Sequence, residues 1–341
     1  MTNLSLSDLG WSDFFALQDN LQLSNVPARV TDVHRDHLDV LGVKGPLKLA
    51  PDQNAGFYAV GDWLYHDGQR VHQVLDRKTS IGRGAAGESG GYQLIAANLD
   101  TLAIVTSCND DFNPARLERY LAMCSAGGAL PLVVLTKADL SPDSDVFRRR
   151  VEKLFPLVRA VTLNACDVAD VTRLHPWCNT GQTMALVGSS GVGKTTLQNA
   201  LTGIEQMTQT IREADSKGRH TTTSRSLRRT LVGGWLIDTP GMRELRLSRA
   251  SEGIDAVFSD LVTLAQKCQF KDCQHASEPG CAVKAAISDD ALSPDRLQRW
   301  QKLQNENAYF NRSADELRAE KRSLKKLSKN ERMQTKTKNK R

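Results

Sequence analysis

The chain has 341 residues, 40% hydrophobic and 25% charged, which is typical of a globular protein large enough for two or three domains. It contains no run of about 18 apolar residues and no basic stretch leading into an apolar core at its start, so we expect no membrane association, no signal peptide and a cytoplasmic location. The net charge of +6 arises from residues 321–341, which carry ten Lys or Arg against one acid and indicate either a polyanion-binding tail, usually for nucleic acid, or a merely solvated end.

Residues 1–26 are predicted to be a short lead-in to a β-rich domain at 27–82. Five short β-type stretches in this domain are separated by Gly, Pro, Asp and Asn, and they lie at Ala28–Val33, His37–Leu41, Leu47–Leu49, Val60–Leu64 and Val71–Leu75. This pattern favours a small barrel of the oligonucleotide-binding (OB) type, although any small β-domain would give a similar pattern. Gly82–Gly91 is typical of a flexible linker.

Residues 92–248 are predicted to form an α/β domain. Apolar strands are expected at Leu102–Thr106, Leu132–Leu135, Val158–Leu163, Met184–Val187 and Trp235–Ile237, with helices between several of them. Such alternation predicts a parallel sheet covered on both faces. Residues 249–312 are expected to be mainly helical, and 313–341 to run from helix into a disordered basic tail.

A phosphate-binding loop follows the strand Met184–Val187 directly. The sequence fits G-x4-G-K-[ST], and its residues are Gly188, Ser189, Ser190, Gly191, Val192, Gly193, Lys194 and Thr195, continued by Thr196. Glycines let successive backbone N–H groups turn around phosphate oxygens, and the following helix directs its positive end toward them. We expect Lys194 to contact the β- and γ-phosphates and the Thr195 hydroxyl to bind Mg²⁺.

Two later segments complete the predicted phosphate side. Asp238, at the start of Asp-Thr-Pro-Gly, is expected to hold Mg²⁺ through a water, and Gly241 to offer its N–H to the γ-phosphate, although the tetrapeptide alone is also a common turn. A loop at 217–223 contains three threonines, one of which is predicted to sense the γ-phosphate through Mg²⁺. The sequence does not identify which of Thr221, Thr222 and Thr223 has this role. Thr222 and Thr223 are taken as the candidate site residues.

A guanine-binding motif is predicted at Thr136-Lys137-Ala138-Asp139, which follows a buried strand. The Asp139 carboxylate can accept hydrogen bonds from guanine N1–H and the N2 amine, whereas adenine offers neither donor. Lys137 would pack along the base, and Asn164-Ala165 would supply an amide to guanine O6. As a lone tetrapeptide, the motif is equally typical of a solvated loop.

The order of these motifs is unusual, because the base motif precedes the phosphate loop. In Ras-like GTPases the phosphate loop comes first. The same fold can form with this order if the N- and C-termini of a Ras-like domain are joined and new termini are created after the strand that precedes Asp238. We therefore predict a circularly permuted GTPase domain with flanking domains that hold the new ends.

A metal site is predicted between residues 268 and 281. Cys268, Cys273, His275 and Cys281 offer three thiolates and one imidazole, which is enough to close a tetrahedral zinc site. Four protein ligands leave no open position for water, so we expect one structural Zn²⁺ per chain. The alternative is a set of buried small side chains.

Together these motifs resemble the RsgA (YjeQ) family of circularly permuted GTPases, from about residue 28 to residue 310. The resemblance is carried by Val60-Gly-Asp62-Trp, Ala97-Asn-Leu-Asp100, the Thr136–Asp139 motif, GSSGVGKTT at 188–196, GRHTTT at 218–223, DTPGMREL at 238–245 and the Cys/His cluster. It implies an OB barrel, a permuted GTPase domain, a zinc domain, and GTPase activity stimulated by the small ribosomal subunit during its late maturation. The expected partners are GTP or GDP and the subunit with its rRNA, bound by a monomer.

Two positions depart from the usual pattern, and a third agrees with the family but differs from Ras-like enzymes. Asn164-Ala165 stands where the family usually has Ser-Ala, and Thr136 stands where many GTPases have Asn. Met242 follows the Asp238–Gly241 segment where Ras-like proteins carry a water-orienting Gln, so another group must position the water. His220 is one hypothesis for that group, and a solvated loop residue is the other.

Two other classes of function remain open from sequence. One is an RNA-binding scaffold whose nucleotide site only regulates its shape, an alternative motivated by the apolar Met242. The other is a P-loop ATPase or small-molecule kinase, against which Asp139 argues.

Overall fold

The structure is a computed structural model that describes residues 4–18, 26–84, 92–204, 225–239 and 247–311. Its strands are β1 (Val26–Val33), β2 (Leu38–Gly42), β3 (Gly45–Leu49), β4 (Trp63–His66), β5 (Val71–Val74), β6 (Ser80–Gly84), β7 (Tyr92–Ala97), β8 (Thr101–Ser107), β9 (Leu130–Thr136), β10 (Arg159–Thr162), β11 (Thr183–Gly188), β12 (Ser226–Arg229) and β13 (Trp235–Asp238). Its helices are α1 (Asp13–Ala16), α2 (Pro114–Ala126), α3 (Ser144–Leu154), α4 (Val168–Val171), α5 (Lys194–Thr202), α6 (Ser251–Val257), α7 (Ser259–Ala265), α8 (Ala282–Ser288) and α9 (Pro294–Asn311). Among these helices none has the length and apolar character that crossing a bilayer requires.

A five-stranded parallel sheet forms the centre of the molecule. Its order is β10-β9-β8-β11-β13, and each neighbouring pair runs parallel. Every residue of β8 and β11 is buried, as expected for strands covered on both faces. The predicted α/β core is therefore present; β8, β9, β11 and β13 extend beyond the predicted segments, whereas β10 is one residue shorter at each end.

The sheet is mixed rather than purely parallel, which corrects the sequence prediction. Strand β12 lies antiparallel between β13 and β1, with Ser226 opposite Asp238 on one side and Asp32 on the other. One continuous sheet thus joins the central strands to the N-terminal ones. The segment Ser-Leu-Arg-Arg of β12 has too few apolar residues for its pattern to indicate a strand.

The N-terminal strands close into a hydrogen-bonded ring. Strand β1 pairs with β2 and β4, β2 with β3, and β4 with β5. A parallel bridge between Ala50 and Arg70 then links the end of β3 to the start of β5. The interior is a separate apolar cluster of Ala28, Val30, Leu38, Val40, Leu49, Tyr58, Leu64 and Val71.

Two predictions in this region were wrong in detail. The expected linker Gly82–Gly91 begins inside β6, which pairs antiparallel with β7. A Cβ at Gly82 would overlap the ring of Tyr92, so this glycine lets Tyr92 pack closely against the strand. The strand predicted at Val60–Leu64 begins only at Trp63, as β4. Gly61 bends the chain before it, with φ +94° and its Cα against the Ala97 carbonyl.

The lead-in packs on the rest of the protein through Trp11 and Phe15, whose rings lie 4.7 and 5.8 Å from Trp63. Beside them, the buried guanidinium of Arg29 donates to the Leu9 carbonyl at 2.6 Å and to the Thr183 hydroxyl at 2.8 Å. Arg29 therefore joins the lead-in, the N-terminal ring and the start of β11.

Helix α2 is bound to the C-terminal helix α9 by buried ion pairs. The fully buried Glu118 carboxylate accepts hydrogen bonds from Arg296 at 3.2 Å and Arg299 at 2.7 Å. One residue later, Arg119 forms two hydrogen bonds with Glu306, which also accepts from the Leu247 amide. The C-terminal helices are thus fixed to the helix that follows β8.

Candidate functional site

The phosphate loop lies where the sequence predicts it, between the end of β11 and the start of α5. Gly188, Gly191 and Gly193 have φ values of +146°, +79° and +91°, which residues with a side chain rarely adopt. A Cβ at Gly188 would overlap the Val105 carbonyl oxygen of the neighbouring strand. The loop conformation therefore depends on glycine at these positions.

Lys194 is the first residue of α5, and its ammonium donates to the carbonyls of Gly188 and Ser189, the former at 2.9 Å. The side chain thus folds back over the loop that it follows. Thr195 and Thr196 occupy the same first turn of α5 and are partly buried. An ammonium, a hydroxyl and a helix N-terminus therefore meet at one loop, which is an arrangement suited to polyphosphate and Mg²⁺.

The predicted base motif is attached to this loop by its first residue. The buried Thr136 ends β9, and its hydroxyl lies 2.6 Å from the Val192 carbonyl and 3.1 Å from the Thr106 carbonyl. Lys137 then turns with φ +57°, and Ala138 and Asp139 enter a short 3-10 turn in which Asp139 is exposed. The two motifs are therefore in direct contact through Thr136 and Val192, which are 56 residues apart in sequence.

The second predicted base segment joins the same place. The Ala165 methyl and Thr136 lie near Gly193, at 3.7 and 3.8 Å from the position that a Cβ would take there. The Asn164 amide donates to Asp170 at 2.6 Å, and the Asn164 side chain accepts from the Cys166 amide at 2.9 Å. These bonds hold the 164–166 turn beside the motif and the loop.

Asp238 ends β13, the parallel neighbour of β11, and so lies at the same sheet edge as the phosphate loop. Its carboxylate accepts a 3.0 Å hydrogen bond from the buried Gln198 of α5, and the following Thr239 hydroxyl donates to the Leu186 carbonyl at 2.7 Å. Both bonds fix the acid relative to the loop. The other predicted phosphate-side residues lie outside the described part of the chain, namely His220, Thr221, Thr222, Thr223, Gly241 and Met242.

Helix α2 contributes a contact to the phosphate loop that sequence reasoning missed. Arg116 donates from Nη1 to the Ser189 hydroxyl and to Asp111 at 2.8 Å. The Tyr120 phenol, one turn later, lies beside the Gly188 backbone, and its burial raises its pKa to about 12. One sequence feature could have indicated this contact. Arg116 lies in the first turn of the helix that follows β8, the strand that pairs with β11.

The four predicted metal ligands converge. The Sγ atoms of Cys268, Cys273 and Cys281 lie 3.7, 3.5 and 3.5 Å from His275 Nδ1, and Cys268 and Cys281 are 3.9 Å apart. Zinc–ligand bonds of about 2.3 Å for sulfur and 2.0 Å for nitrogen in a tetrahedron place such atoms about 3.5–3.8 Å apart. The cluster therefore has the dimensions of a four-coordinate zinc site.

Backbone geometry brings these ligands together. His275 adopts φ +60° and Gly280 φ +69°, which returns the chain so that Cys281 caps helix α8 and accepts from the Lys284 amide at 3.4 Å. Burial raises the pKa of the Cys273 thiol to about 11, whereas backbone hydrogen bonds from Val283 and Ala282 lower the pKa of the Cys268 thiol despite its desolvation. Thiolates, rather than thiols, are the form that binds zinc.

Comparisons with known proteins point to one family. The RsgA GTPase family model matches residues 74–248, just over half of the chain. A small ribosomal subunit biogenesis GTPase RsgA from Mesorhizobium japonicum is 49% identical over 316 residues, covering 89% of this chain and 90% of that protein. A small ribosomal subunit biogenesis GTPase RsgA 2 from Vibrio parahaemolyticus is 45% identical over 333 residues, covering 96% and 93%.

Two solved structures resemble the chain, and the model of a different family matches part of it. The chain resembles YjeQ from Thermotoga maritima with a TM-score of 0.60 and 22% identity, over 82% of this chain and 97% of that one. It resembles YloQ, described as a circularly permuted GTPase, with a TM-score of 0.58 and 21% identity, over 85% and 97%. An ABC transporter model matches residues 171–336, a range that includes the phosphate loop but not Thr136–Asp139.

Proposed function

The chain belongs to the RsgA family of GTPases, and we propose that it hydrolyses GTP to GDP and phosphate while assisting late assembly of the small ribosomal subunit. The single observation that carries the nucleotide assignment is the contact between Thr136 and Val192. It supports one site in which the base motif and the phosphate loop bind opposite ends of the same nucleotide.

Within that site, each predicted residue has a role in the proposal. Asp139 accepts the guanine N1–H and N2 donors, Lys137 lies along the base, and the 164–165 turn donates an amide to O6. Amides of residues 188–193 and the Lys194 ammonium bind the phosphates, with Thr195 and Asp238 holding Mg²⁺. When bound, Mg²⁺ neutralises charge on the β- and γ-phosphate oxygens.

We assign Thr222 or Thr223 to γ-phosphate sensing, Gly241 to a backbone contact with the γ-phosphate, and His220 to positioning the attacking water. These assignments follow from sequence and resemblance alone. The apolar Met242 next to Gly241 motivates the last one, because a thioether is too weak a hydrogen-bond partner to orient water as an amide does.

We propose that Cys268, Cys273, His275 and Cys281 bind one Zn²⁺. The ligand distances support a closed tetrahedral site, which makes the ion structural rather than catalytic. Zinc there would hold the turn before α8 against α9, since the His275 ring lies 5.7 Å from that of Trp300.

For the flanking regions we propose an OB-type barrel at 27–82, a permuted GTPase domain at 92–248 and a zinc-binding helical domain at 249–312. The closed ring of β1–β5 with its own apolar interior supports the first of these. The barrel and the basic segment 313–341 would contact rRNA phosphates, so binding should weaken steeply with salt. The lead-in 1–26 would brace the barrel, and the protein would act as a cytoplasmic monomer.

Hydrolysis of GTP and of ATP, with and without small ribosomal subunits, tests this proposal. We expect turnover of GTP only, accelerated by the subunits and lost in Lys194→Ala. Equal hydrolysis of ATP would favour a P-loop ATPase, and stoichiometric nucleotide binding without turnover in either condition would favour a scaffold.

A further inference from the structure

Helix α2 contacts the phosphate loop with two side chains from one face. Arg116 donates to the Ser189 hydroxyl, and the buried Tyr120, four residues later, lies beside the Gly188 backbone. Residues four apart lie on the same side of a helix. Strand β8 runs parallel beside β11, so the helix that follows β8 begins at the sheet edge from which the loop extends.

The guanidinium of Arg116 is held at this position by a carboxylate. Its Nη1 also donates to Asp111 Oδ1 at 2.8 Å, and the Asp111 amide is fixed by the Asn109 side chain at 3.0 Å. The Arg116 side chain remains 39% exposed. A partly accessible guanidinium is thus anchored within one hydrogen bond of the second residue of the phosphate loop.

We propose that Arg116 is a catalytic residue that binds the phosphates of GTP and stabilises the transition state of hydrolysis. This inference rests on the proposed GTPase function. In the reaction a water oxygen bonds to the γ-phosphorus, the bond to the β–γ bridging oxygen breaks, and GDP leaves with that electron pair. The water protons pass to inorganic phosphate and solvent.

An arginine suits this step for two reasons. Charge moves onto oxygens beside the loop during bond cleavage, and a planar guanidinium with five donors can bind two of them at once. The hydroxyl that Arg116 now contacts is neutral, so a phosphate oxygen would be the stronger partner. Because Asp111 already orients the group, little reorganisation is needed when charge develops.

The test compares Arg116→Ala and Arg116→Lys with the wild-type full-length chain. We expect kcat for GTP to fall about 10²–10³-fold in the alanine variant, with GTP affinity changed less than about tenfold, since the lost contact acts mainly in the transition state. The alanine variant should also lose binding of GDP with aluminium fluoride, which imitates the transferring phosphoryl group, while keeping binding of GDP alone.

Arg148→Ala is a matched control, because Arg148 is similarly exposed at 34% and also paired with carboxylates, but lies on α3. It should hydrolyse GTP at the wild-type rate. A kcat for Arg116→Ala within about threefold of wild type, or a loss of GTP affinity as large as the loss of kcat, would overturn the proposal.

Two further outcomes are distinguishable. If Arg116→Ala fails to fold, the kcat of Arg116→Lys tests the proposal, because lysine keeps the positive charge but cannot form two parallel hydrogen bonds. A wild-type kcat in Arg116→Lys would refute the role of the guanidinium. If the wild-type protein hydrolyses GTP no faster than Lys194→Ala, the proposed function itself fails, whatever Arg116 does.

Discussion

Replacing Thr136 by Val removes the hydroxyl that joins the base motif to the phosphate loop but nearly keeps the shape of the side chain. The hydroxyl lies 2.6 Å from the Val192 carbonyl and 3.1 Å from that of Thr106, and Thr136 is fully buried. Leaving a buried acceptor without its donor costs about 1–3 kcal/mol. The Val192 carbonyl belongs to the loop that must keep its shape to bind phosphates.

We therefore expect Thr136→Val to weaken the binding of both GDP and GTP by roughly tenfold, the equivalent of about 1.4 kcal/mol. Both nucleotides should be affected alike, because each carries the base and the phosphates nearest to the loop. Equilibrium titration with fluorescent GDP and GTP analogues measures the effect, and urea unfolding of the free protein measures any general loss of stability.

The matched control is Thr202→Val. This hydroxyl is also buried and donates to a backbone carbonyl, that of Gln198 at 2.8 Å, but at the far end of α5 from the loop. It should lower stability without changing nucleotide affinity. If Thr136→Val binds GDP within about twofold of wild type although its stability falls, the connection serves only the fold and the reasoning is refuted.

Three other substitutions test separate parts of the account. Lys194→Ala should lower GTP turnover by at least about 100-fold, because it removes the cation of the loop; near-normal turnover would mean that another group binds the β- and γ-phosphates. Cys281→Ser should reduce the zinc content below one ion per chain in metal analysis. The control Cys178→Ser, at a buried cysteine outside the cluster, should leave the zinc content unchanged. An unchanged zinc content in Cys281→Ser would exclude Cys281 as a ligand. Glu118→Gln should lower the free energy of unfolding in urea by about 1.5–3 kcal/mol, since it removes the buried negative charge that Arg296 and Arg299 share while Asp260 remains as a partner for Arg296; a loss below about 1 kcal/mol, as for an exposed pair, would show that these ion pairs contribute little.

The central strands and the phosphate loop could be predicted from sequence because their local patterns suffice. Continuous apolar runs such as Leu102–Thr106 have few alternatives to a buried strand, and glycines flanking a lysine at the end of one define the loop. The Cys/His cluster could be predicted for a similar reason, since few other arrangements place three thiols and an imidazole within fourteen residues.

The remaining features depend on tertiary contacts that leave little local trace. Strand β12 forms because β13 and β1 supply hydrogen-bonding edges on both sides, not because its own residues favour a strand. Gly82 suggested flexibility, yet it lies in β6 with the Tyr92 ring packed closely against it. No local pattern around Arg116 indicates a function, and only the placement of α2 beside the phosphate loop does so.

Guanine specificity is the central claim, and the nucleotide preference of Asp139→Asn tests it most directly. The wild-type chain should favour GTP over ATP in kcat/KM by roughly 10³-fold or more, because a site built around a carboxylate rejects a base without matching donors. The Asn variant should lose GTP hydrolysis and gain xanthosine triphosphate hydrolysis, since its amide can donate to the C2 carbonyl of xanthine. A variant that still prefers GTP, or a wild-type chain that accepts ATP equally well, would contradict a guanine site at Thr136–Asp139.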